Sequence, residues 1–82
     1  MRIGVSIMKV KLKFIGVVDI EAPSELRIEG DATVLEVIEY LENINSLEIQ
    51  GLTVFVNKEK ASLDKRLKEG DEILLLQPIG GG

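Results

Sequence analysis

Leu67-Lys68-Glu69-Gly70-Asp71-Glu72-Ile73-Leu74-Leu75-Leu76-Gln77-Pro78-Ile79-Gly80-Gly81-Gly82 is the last stretch of the sequence, and it has three physically different parts. Lys68-Glu69-Gly70-Asp71 is turn chemistry, with Gly70 suited to a positive φ. Residues 73–79 read as a strand, apolar on both sides for the four positions from Ile73 to Leu76. Such a run suits a central strand with one face packed and the other covered or used. The three glycines after it stabilise nothing, because glycine costs the most backbone entropy to order and has no side chain to pack. They read as a flexible arm that holds one reactive group, the carboxylate of Gly82, away from the fold. From Pro78 to Gly82 the arm reaches at most roughly 16 Å, at about 3.3 Å per extended residue. With no Cβ to widen it, such an arm can thread a narrow channel in another protein. A frayed terminus is the plain alternative.

Upstream, Met8, Val10, Leu12 and Phe14 alternate with Lys9, Lys11 and Lys13, the period of a half-buried strand. The lysines read as a solvated sheet face rather than an anion patch. Glu25-Leu26-Arg27-Ile28-Glu29 alternates again. It is expected to pair antiparallel with the first strand across the loop from Gly16 to Ser24, adding Leu26 and Ile28 to the apolar face. The period then changes. Thr33-Val34-Leu35-Glu36 reads as a capping box, and Val34, Val37, Ile38 and Leu41 follow at helical spacing, with Leu35 widening the stripe. Glu36, Glu39 and Glu42 are expected on a solvated face, and Asn43 and Asn45 at the helix end. Residues 52–56 read as a third strand and 57–60 as a turn. Ala61-Ser62 then reads as a short edge strand, and 63–67 as one helical turn.

Composition bounds the chemistry. The chain of 82 residues has room for one small domain, and its 45% hydrophobic content is ordinary for a globular chain. It has no cysteine and no histidine, which removes disulfides, a thiol nucleophile, the commonest metal ligand and the commonest base near neutral pH. Fourteen acidic residues against ten basic ones give a net charge of −4, which argues against nucleic acid as a partner. The acidity suits solubility, or a basic docking surface on a partner. No apolar run approaches the ~20 residues of a membrane span, and residues 1–7 are too short for a signal peptide. They read as an N-terminal extension or a mis-assigned start, ahead of a domain over 8–79 and the arm over 80–82. A cytoplasmic protein is expected.

The element order gives an α+β fold, a mixed sheet of four to five strands packed on one main helix. With the first and last strands side by side at its centre, Ile73 and Leu75 pack on the helix, leaving Leu74 and Leu76 on the open face. Phe55 joins them there in a candidate partner interface that continues toward Pro78 and Ile79.

This organisation resembles the ubiquitin-like β-grasp fold, in the sulfur-carrier branch that includes molybdopterin synthase small subunits (MoaD) and thiamine-pathway carriers (ThiS). The resemblance runs from Met8 to Gly82. It rests on Val56-Asn57 before a turn, on Leu67-Lys68-Glu69-Gly70-Asp71-Glu72-Ile73, and on the terminal Gly81-Gly82. Molybdopterin carriers usually have Pro-Pro before Ser-Gly-Gly. Gln77-Pro78-Ile79-Gly80, like the short helix and following loop, is closer to the thiamine type.

The resemblance implies a carrier rather than an enzyme. An ATP-dependent activating enzyme would convert the Gly82 carboxylate to an acyl-adenylate, and sulfide or a persulfide would displace AMP to leave a thiocarboxylate. Gly80 and Gly81 would let the arm thread the activating enzyme, and a synthase would take the sulfur for a cofactor of molybdopterin or thiamine type. No catalytic residue, metal or resident cofactor is expected on this chain, and neither nucleic acid nor membrane as a partner. Two other classes stay open. In a protein modifier, a lysine of a target protein would attack the same acyl-adenylate to form an isopeptide bond. A plain interaction domain would work through its sheet alone and tolerate loss of Gly81-Gly82. Asp64, Glu69, Asp71 and Glu72 cluster in sequence but read as turn residues without a pocket.

Overall fold

The structure, a computed structural model, describes residues 6–78. Strand β1 (Ile7–Ile15) pairs antiparallel with β2 (Glu25–Glu29), from Ile7 opposite Glu29 to Lys11 opposite Glu25. The ladder starts one residue ahead of the alternation that reveals it, and Gly30 N–H adds a 2.9 Å bond to the Ser6 carbonyl. Met8, Val10 and Leu12 are buried, Phe14 is half-buried against the core, and Lys9, Lys11 and Lys13 face solvent.

Helix α1 (Val34–Asn45) begins at the capping box that its sequence predicts. Glu36 N–H donates to Thr33 Oγ1 at 3.4 Å, and Glu36 Oε1 accepts from Thr33 N–H at 3.0 Å. Val34, Val37, Ile38 and Leu41 are buried, but Leu35 is 41% exposed and does not widen the stripe. The stripe is narrow because the sheet meets only one side of the helix. Glu42 departs from the solvated face expected for it: half-buried, it accepts from Ile49 N–H at 2.8 Å and so ties the following loop to the helix. Asn45 closes the helix end. Its Nδ2 donates to Leu41 O at 2.8 Å and to Glu21 O at 2.9 Å, and its Oδ1 accepts from Glu21 N–H at 2.7 Å.

Beyond β3 (Thr53–Val56) the structure corrects the sequence reading. The turn is only Asn57-Lys58, and the edge strand β4 is Glu59–Lys60 rather than Ala61-Ser62. Both turn residues have left-handed φ, 54° and 71°, the geometry whose twist matches that of a two-residue hairpin. Residues 63–67 form a turn at Leu63-Asp64 but no helix. They cross the start of α1, where the Leu63 and Lys65 carbonyls accept from Leu35 N–H at 2.9 Å and Val34 N–H at 3.0 Å. Leu63-Asp64 is a single turn closed by Lys65 N–H on the Ser62 carbonyl at 3.1 Å. The first N–H groups of a helix lack intrahelical partners, and this crossing satisfies them.

The last strand, β5 (Glu72–Leu76), lies parallel to β1 and antiparallel to β3. The order β2-β1-β5-β3-β4 is a five-stranded mixed sheet with the first and last strands adjacent at its centre, and α1 covers one face. This is the ubiquitin-like β-grasp fold expected from the sequence. No helix among the described residues is long and apolar enough to cross a membrane.

Candidate docking face and arm exit

The phase of β5 decides which of its leucines a partner can touch. Ile73 and Leu75 are 2% and 0% exposed beneath the helix, so Leu74 and Leu76 point the other way, each half-buried. Register places their neighbours. Leu74 lies between Lys13 and Phe55, and Leu76 between Ile15 and Thr53. Leu74, Leu76 and Phe55, brought together as the sequence suggests, form an apolar groove with Lys11, Lys13, Lys58 and Glu72 around it. Lysine stems lie along apolar surface with their ammonium groups in water, so the same residues frame the groove and charge its rim.

Ile15 is the residue that sequence reading missed. It is 47% exposed and extends the apolar row beyond Leu76. The alternation of β1 already contains it, one step past Phe14 on the lysine side. The lysines matter more than a solvated face would suggest, because they make this side of an acidic protein locally basic.

Pro78 is exposed at the end of the described chain, two residues past β5. Ile79, Gly80, Gly81 and Gly82 lie outside the described residues. The acidic residues of the 64–72 stretch mostly serve the fold. Glu69 Oε1 accepts from Lys9 N–H at 2.8 Å, Asp64 accepts from the Ser62 hydroxyl, and Asp71 is buried in a hydrogen-bonded turn. Among the described residues no group of three such side chains is placed to hold a metal, and no buried side-chain polar atom lacks a partner.

Solved structures of this shape match most of the chain. The crystal structure of SAMP1 from Haloferax volcanii matches with a TM-score of 0.60 at 25% identity, covering 94% of this chain and 100% of that one. The solution structure of the small archaeal modifier protein 1 from Methanosarcina acetivorans matches with a TM-score of 0.56 at 20% identity, covering 96% and 99%. The latter likeness carries the fold alone. No curated protein matches the sequence. The ThiS family profile matches residues 13–82, from the last three residues of β1 through the terminal glycines. The profile thus takes in the end of β1, the whole of β5 and the glycine arm, and on that ground the chain belongs to the ThiS family of ubiquitin-like proteins.

Proposed function

We propose that this chain is a sulfur carrier whose reacting group is the carboxylate of Gly82. The observation that carries the reading is the family match through the last glycine, on a fold whose central strand leads straight from a lysine-rimmed apolar groove to that arm. A carboxylate resists nucleophiles, because its charge repels them and its leaving group would be oxide. Activation removes both obstacles. A Gly82 oxygen attacks the α-phosphorus of ATP on an activating enzyme, pyrophosphate leaves, and the acyl group is held as a mixed anhydride with AMP. Hydrosulfide then adds to the carbonyl and AMP departs, leaving a thiocarboxylate. If a persulfide attacks, a further thiol must open the resulting acyl disulfide.

In this reading the chain is a cosubstrate. It supplies the groove of Leu74, Leu76 and Phe55 for docking, while Gly80 and Gly81 let the partner's backbone close around the arm. The nucleotide and the catalytic groups belong to the partner, a synthase receives the sulfur, and the setting is the cytoplasm.

The likeness to a small archaeal modifier protein at 25% identity favours a second reading, in which a target lysine attacks the acyl-adenylate. Both readings share the adenylation step, and mass spectrometry separates them. Protein purified from its native cell should carry a gain of roughly 16 Da, one oxygen replaced by sulfur, if it is a carrier, and a ladder of conjugates if it is a modifier. Deleting Gly81-Gly82 should leave thermal unfolding unchanged and abolish adenylation. A truncated chain that still forms the acyl-adenylate would remove both readings. Gly81→Ala should slow loading severely without moving the melting temperature.

A further inference from the structure

Gln77 follows β5 directly and is tied down on three sides. Its N–H donates to Ile15 O at 2.8 Å, one more rung of the β1–β5 ladder. Its Oε1 accepts from Val17 N–H at 3.2 Å and from Val18 N–H at 3.4 Å. Its Nε2 donates to Gln50 O at 3.4 Å. Two N–H donors on one side and a carbonyl on the other fix which end of the amide is oxygen. One side chain thus bridges the β1–β2 loop and the α1–β3 loop across the end of the central strand.

Gly16 makes room for it. A Cβ there would stand 2.7 Å from Gln77 Oε1, 2.8 Å from Gln77 Cβ and 2.7 Å from Phe14 Cζ, closer than real contacts come. Gly30, Gly51 and Gly70 have positive φ but Gly16 does not, so its backbone does not call for glycine. The space taken by the Gln77 side chain does.

Gln77 is half-buried at the sheet end, held there by these hydrogen bonds. The next residue is Pro78, whose ring fixes its own φ and holds the residue before it extended. A direction set at Gln77 is therefore passed on. We propose that Gln77 is a positioning residue: by clamping both loops it fixes the direction in which the chain leaves the sheet toward Gly82. The proposal rests on the reading of Gly82 as the reacting end. Four residues past Pro78 span at most roughly 13 Å, so the direction set at Gln77 decides which region the glycine arm can reach with its carboxylate. Reacting groups misplaced by about 1 Å can already lose on the order of a hundred-fold in rate.

Three variants test it. Gln77→Met keeps the length and loses the hydrogen bonds, Gly16→Ala expels the carboxamide from the other side, and Gln77→Glu keeps the acceptor for Val17 and Val18. The N–H residual dipolar coupling of Ile79 in an aligned medium reads the exit direction whether or not the arm is ever adenylated. It should shrink toward zero in Gln77→Met and Gly16→Ala and shrink only in part in Gln77→Glu, which keeps the tie to Val17 and Val18 and loses the one to Gln50, with the couplings of β1 and β5 unchanged in all three. An unchanged Ile79 coupling in Gln77→Met overturns the proposal. With the activating enzyme, ATP–pyrophosphate exchange should lose about ten-fold in kcat in the first two variants, with KM for the carrier within about two-fold of wild type. A rise in KM at constant kcat would make Gln77 a docking contact instead, and would equally overturn it. A wild-type protein that supports no exchange would sink the carrier reading, and the Ile79 coupling would still decide the role of Gln77.

Discussion

At the scale of single residues, Asp71 shows how an apparent turn residue becomes part of the interior. It is 4% exposed, its Oδ2 accepts from Lys68 N–H at 2.7 Å, and its Oδ1 accepts from Asn57 Nδ2 at 2.9 Å. Asn57 in turn exchanges bonds with the backbone of Glu72, accepting at 3.0 Å through Oδ1 and donating at 2.8 Å through its own N–H. The pair locks the β3–β4 turn onto the turn that launches β5. Asp71→Ala would leave two donors without partners, so a loss of about 1–3 kcal/mol is expected. Urea unfolding should show it as a lower midpoint at unchanged slope. Asp71→Asn, which can still accept from Asn57, should cost less. An alanine variant with the wild-type midpoint would mean that water replaces the carboxylate and that the lock is not structural. The sequence names Gly70 and Asp71 as a turn, but the partner that buries Asp71 lies fourteen positions earlier, beyond the reach of any local pattern.

At the scale of elements, what was legible is what repeats. The alternations of β1 and β2, the capping box of α1 and its stripe of Val34, Val37, Ile38 and Leu41 each involve several residues that agree. Ile38→Ala is therefore expected to cost about 2–5 kcal/mol and Glu39→Ala less than about 0.5 kcal/mol, measured by thermal or urea unfolding. Equal losses at the two positions would place the helix in the wrong rotation. Short elements stayed hidden. Strand β4 has two residues, too few for a period, and its turn puts Lys58 at a φ where glycine would have been the signal. The 63–67 segment has helical composition, yet its carbonyls are taken by the first N–H groups of α1, a demand that only the assembled fold makes. At the docking face the inward phase of Ile73 and Leu75 was readable once β5 was placed beside β1. The rim of lysines was visible as residues but not as a rim, because Lys58 and Lys11 meet only through the sheet.

For the whole molecule, the two faces differ in charge. The helix side carries Glu36 and Glu39 in solvent, whereas the open sheet face sets Lys11, Lys13 and Lys58 around Leu74, Leu76 and Phe55. Leu76→Glu should leave the fold nearly intact, since the side chain is half-buried on the face away from the helix. The same change should weaken docking onto an activating enzyme by about ten-fold or more in Kd, measured by titration calorimetry. Raising salt should slow association of the wild type by screening the lysines. Collapse of stability in that variant would refute the face assignment, and unchanged binding would move the partner to the side of Glu36 and Glu39. The parallel pairing of β1 with β5 also governs how the protein bears force. The start of β1 and the end of β5 lie at opposite ends of their common ladder, so tension applied between them shears all the rungs from Lys11–Glu72 to Ile15–Leu76 together. Tension between Ser6 and Gly30 instead unzips β1 from β2 one rung at a time, beginning where Ile7 faces Glu29. Single-molecule stretching between Ser6 and Pro78 should therefore rupture at a clearly higher force than stretching between Ser6 and Gly30, and equal forces would contradict this. A partner that hauls on the glycine arm against the start of β1 loads the central ladder in shear rather than unzipping it.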